Sequence, residues 1–63
     1  MQPHQERVVM ELNELNSKIE KLIPFLGGKI YGSLPEAEQL RLNKQLGYMQ
    51  LYSKVLEERI SAF

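Results

Sequence analysis

The chain has 63 residues, eight Lys+Arg against eight Asp+Glu, one His and no Cys, and 43 % of it is hydrophobic. That excludes a disulfide-stapled fold, a zinc cluster of Cys and His ligands, disorder of the highly charged kind and a strongly basic nucleic-acid coat. Burial of apolar area at ~25 cal/mol/Å² about cancels an ordering cost of ~1.5 kcal/mol per residue in so small a domain, which leaves self-association as the economical stabiliser.

The N-terminus, MQPHQERVVMELNELN, has no apolar core of signal-peptide length. No stretch approaches the ~20 apolar residues of a membrane span. The expectation is a cytoplasmic protein with no membrane partner. A single domain, 1–63, is expected, with one helix over 3–25, a turn over 26–34 and a second helix over 35–62.

In the first helix Val8, Leu12, Leu15, Ile19, Leu22 and Leu26 recur at steps of 4, 3, 4, 3 and 4. That is an unbroken a/d seam. Pro3 suits a first helical turn. Pro24 removes a donor and opposes the carbonyl of Glu20, so the helix is expected to end or kink near Ile23. The middle, GGKIYGSLPE, holds Gly27, Gly28 and Gly32, which permit positive φ. Ile30, Tyr31 and Leu34 read as plugs for the end of the core, on a single helical turn. Ser33 and Glu36 fit a capping box that opens the second helix, with Pro35 in its first turn. There Leu42, Leu46, Met49, Ser53, Leu56, Ile60 and Phe63 again step by 4 and 3.

The fold class is all-α: an antiparallel two-helix hairpin with a short Gly-rich turn, assembling into a helical-bundle homo-oligomer. Facing residues should sum to about 65, which sets Leu12 beside Ser53 and Val8 beside Leu56. The second helix bears another apolar stripe, Tyr48, Leu51, Tyr52 and Val55, and the first bears Val9 and Ile23 off-seam. One amphipathic stripe suffices for a two-helix monomer. The extra residues either widen the core face or are covered by a second hairpin. The second reading makes Leu51, Val55, Val9 and Ile23 the interface of a dimer or higher oligomer. Gly47 and Ser53 allow close helix approach there.

No catalytic site, metal site or cofactor is expected. His4 lies in a terminal segment, and Glu11/Glu14 and Glu57/Glu58 read as surface pairs. The GGKIYG segment could nest an anion beside Lys29, with Tyr31 near it, although a helix–helix turn explains its glycines equally well. Arg41, Lys44, Tyr48, Tyr52 and Arg59 share much of one side of the second helix. Phosphate takes charge-assisted donors and a base stacks on a ring, so the row suits a ligand with both. Tyr at helical spacing also packs at interfaces, and Arg and Lys also cover apolar surface. The ligand-binding candidates are Lys44, Tyr48, Tyr52 and Arg59, then Lys29 and Tyr31.

From His4 to Phe63 the chain resembles small phage-encoded helical-hairpin proteins related to a crAss-like phage protein. The stretches that carry this are HQERVVMELNELNSKIEKL, IYGSLPEAEQ and LGYMQLYSKVLEERISAF. Pro24 and Gly47 depart from the pattern. In architecture the chain is similar, more distantly, to the phage anti-CBASS and anti-Thoeris sponges, hairpin proteins that sequester cyclic nucleotide signals. That likeness implies symmetric oligomers with ligand between subunits, in the host bacterial cytoplasm. No sponge motif aligns residue by residue, so no binding residue is carried over.

The expected function is immune evasion by a bacteriophage: sequestration of a cyclic di- or trinucleotide without catalysis. The zero net charge suits a pocket binder better than a DNA binder. The alternative is a homo-oligomeric interaction module that grips a host or phage protein through the second helix.

Overall fold

A computed structural model describes residues 1–63. It is all-helical: α1 spans Pro3–Leu26, α2 spans Lys29–Ser33 and α3 spans Glu36–Ser61. Laid end to end, α1 and α3 would reach about 75 Å at 1.5 Å per residue. The molecule measures 46 × 15 × 13 Å, so the chain folds back and the two long helices lie side by side.

Pro3 opens α1, and the Gln2 backbone N–H donates to Gln5 Oε1 at 2.9 Å. The helix does not end near Ile23: it continues through Pro24 to Leu26. The missing donor at Pro24 releases one carbonyl, that of the exposed Glu20, within a turn of the helix end. Gly27 N–H then donates to Pro24 O at 3.1 Å, and Gly28 N–H to Phe25 O at 3.0 Å.

The turn differs from a glycine loop. No glycine has positive φ, so the backbone does not exploit their left-handed freedom. A helical turn, α2, occupies the centre instead. Ser33 does not cap α3. Its Oγ donates back to Ile30 O at 2.7 Å and closes α2, while Pro35 stands at the N-cap of α3. Ser33 thus stands two residues ahead of the N-cap, outside the position from which a side-chain oxygen accepts from the first turn. Glu36 and Glu38 complement the dipole at the start of α3.

Polar bonds hold α2 against α3. Gln39 Nε2 donates to Tyr31 O and Leu34 O, both at 3.0 Å. Asn43 Nδ2 donates to the Tyr31 hydroxyl and to Gln39 O. Of the three expected plugs, Tyr31 and Leu34 are half-buried, whereas Ile30 is exposed. Ile30 stands on the outer side of a helix too short to turn every apolar residue inward.

The core lies toward the other end. Val8, Leu15 and Leu56 are buried, with Leu12, Ile19, Met49 and Ile60 against them. Both a/d seams therefore meet. Ser53 is buried among them and donates from Oγ to Asn16 Oδ1 at 2.7 Å. Its partner is one helical turn beyond the expected Leu12. A buried hydroxyl needs a hydrogen-bond partner, and the Leu12 side chain offers none.

Candidate functional site

Residues at i, i+3, i+4, i+7, i+8 and i+11 of a helix share a side. Arg41, Lys44, Gln45, Tyr48, Met49 and Tyr52 stand at those positions and line a groove of about 550 Å³. Met49 roots the groove in the core, and Gln45 Nε2 lies 3.8 Å from its sulfur. Tyr48 is 69 % exposed and Tyr52 45 %, so both offer ring surface to a ligand.

Two cations rim the groove. Arg41 Nε donates to Glu38 Oε1 at 2.9 Å, which orients the guanidinium and leaves its two terminal nitrogens for other acceptors. Lys44 has no ion pair within the chain. The lining contains cations, an amide, phenol rings and a thioether. Such groups bind phosphate and stack bases.

All six lining residues come from α3. The groove is therefore a shelf with a single wall.

Of the candidates from sequence, Lys44, Tyr48 and Tyr52 come together here, with Arg41 from the same row. Gln45 and Met49 are additions, and the i+3/i+4 neighbours of Arg41 and Gln45 are the signal that marks them. Arg59 stands on the same side of α3 but two helical turns beyond Tyr52, outside the groove. Lys29 is exposed on α2, outside the groove as well. The Tyr31 hydroxyl is engaged by Asn43 and Gln39 O. Leu51, Val55 and Ile23 are exposed, and Val9 is half-buried. Nowhere do three His, Cys, Asp or Glu side chains gather as a metal site would require. No helix is long and apolar enough to cross a membrane.

Among known proteins, the family model described as Sequestin matches residues 2–62. No curated protein and no solved structure matches the chain.

Proposed function

The chain belongs to the Sequestin family, and from that premise we propose that it is a phage protein that captures a cyclic oligonucleotide immune signal and holds it without chemistry. The family's name points to sequestration, and the α3 groove supplies a chemistry for it. One observation carries the reading: two ring faces, Tyr48 and Tyr52, stand beside two cations, Arg41 and Lys44, in a single groove. A nucleotide needs that pairing, because its bases stack and its phosphates take charge-assisted donors. No lining residue is a carboxylate, a histidine or a hydroxyl or thiol nucleophile of the Ser/Cys kind. Such a set suits capture, in keeping with the proposed role.

The test is calorimetry with a panel of cyclic di- and trinucleotides. Binding with micromolar affinity or better is expected for at least one, with the ligand recovered intact. No heat from any of them at concentrations well above micromolar would overturn the reading. The competing role, a module that grips a foreign protein, draws on the exposed Leu51 and Val55. It gains if the groove binds no nucleotide and α3 remains uncovered in solution.

A further inference from the structure

α3 has a second periodic face, which α1 does not cover. Leu40, Lys44, Gly47, Leu51, Val55 and Glu58 follow one another at steps of 4, 3, 4, 4 and 3, and a further step of 4 reaches Ala62. This is an 11-residue repeat of about 3.67 residues per turn. It lies close to the 3.6 of a straight helix, so the face runs straight along α3. At about 100° per residue it points away from the core seam of Leu42, Leu46, Met49, Ser53 and Leu56. All of its residues are exposed, Leu51 at 62 %.

The spacing 4, 3, 4, 4, 3, 4 reads the same from either end. A second α3 turned end for end therefore meets it in register. Leu51 meets itself on the two-fold axis, and Gly47 meets Val55 of the partner subunit. Leu40 meets Ala62 of the partner subunit. The only charges on the face are Lys44 and Glu58. They meet as opposites, twice by symmetry, and neither has an ion pair within its own chain.

A compact monomer of this mass exposes about 4,200 Å², and this thin hairpin, 46 × 15 × 13 Å, exposes 4904 Å².

We propose that α3 pairs antiparallel with α3 of a second copy across Leu51, and that this pairing closes the ligand groove. Rotation about a two-fold axis normal to the helix pair keeps the same flank of each α3 on the same side. The flank beside the seam carries Arg41, Tyr48, Tyr52 and Arg59. Arg59, two turns away from its own groove, thus arrives at the groove of the other copy near Arg41. Tyr48 comes beside Tyr52 of the partner subunit. Four rings between paired arginines make a two-fold floor, suited to a ligand with two bases and two phosphates. The ligand half of the proposal rests on the sequestration reading, whereas the seam stands without it.

Ligand-free protein tests the seam. Sedimentation should give twice the chain mass at micromolar concentration. The chain has no cysteine, so Leu51→Cys should cross-link to itself under mild oxidation, while Gln50→Cys, off the seam, should not. Glu58→Lys should weaken association on the order of a hundredfold, as like charges meet. The exchange Lys44→Glu with Glu58→Lys should restore it, with circular dichroism reporting helix content throughout. A monomer at about 100 μM, roughly a hundredfold above micromolar, or an assembly indifferent to Glu58→Lys and to the exchange, overturns the seam. Calorimetry with a cyclic dinucleotide then tests the groove: Arg59→Ala should weaken binding about tenfold or more, as loss of a charge-assisted contact does. Unchanged affinity in an intact dimer overturns the contribution of Arg59. An intact dimer that binds no cyclic nucleotide overturns the sequestration reading and leaves the seam standing.

Discussion

The two faces of α3 are built from similar residues and have opposite fates. The face toward α1 steps by 4 and 3 and is filled by Leu56, Met49 and Ile60, with Ser53 satisfied by Asn16. The face away from α1 steps by 4, 3 and 4 and is bare, with Leu40, Leu51 and Val55 exposed. An apolar side chain stabilises the fold only by the water it leaves, at ~25 cal/mol/Å². The exposed parts of Leu40, Leu51 and Val55 therefore contribute nothing in a lone chain. The difference teaches that one partner helix covers about one stripe and leaves the second stripe of α3 exposed.

The comparison can be broken hardest on the covered side. Leu56 is fully buried, and Leu56→Ala should cost about 2–5 kcal/mol in urea unfolding. Only four residues are buried, so this change is expected to unfold most of the population. Tyr48→Ala, on the exposed flank, should leave unfolding nearly unchanged and reduce nucleotide affinity by about 1–3 kcal/mol in calorimetry. A loss of stability without loss of binding would assign Tyr48 to packing. Ser53→Ala should cost about 1 kcal/mol, because it strands the half-buried Asn16 carbonyl. Adding Asn16→Leu should recover much of that, read by the same denaturation. Gly47→Ala sharpens the contrast between the faces. Nothing lies within 4 Å of a Cβ there, so a lone chain should gain about 1 kcal/mol from helix propensity. A smaller gain at high protein concentration than at low would place a second copy against it. Smallest of all, Glu38→Ala removes one exposed ion pair and should change stability by about 0.2–1 kcal/mol, fading with added salt.

Much of the fold was legible because helices are local. The a/d steps of Val8 to Leu26 and of Leu42 to Ile60 report a 3.6-residue turn within a few residues of each position. The gathering of Lys44, Tyr48 and Tyr52 was legible for the same reason, since one helix carries all three. The turn was not. Ser33 before Pro35 and Glu36 has the pattern of a cap, yet the hydroxyl found Ile30 O because the preceding segment is itself helical. The glycines suggested left-handed backbone, and a short helix made that unnecessary. Pro24 sits so near the end of α1 that the usual penalty falls on one exposed carbonyl.

By itself the sequence determined two long helices, which face of each is apolar, and which side of α3 carries rings and cations. These follow from the spacing of residues along one chain, where i to i+4 geometry is the same in any tertiary context. Tertiary structure alone decided that Asn16 satisfies Ser53 across 37 residues and that Tyr31 is tied to Gln39 and Asn43. It also decided that the groove has a single wall. The hydrogen bonds depend on how one helix is set against another. Sliding by one turn leaves every periodic pattern intact while exchanging the polar partners between helices.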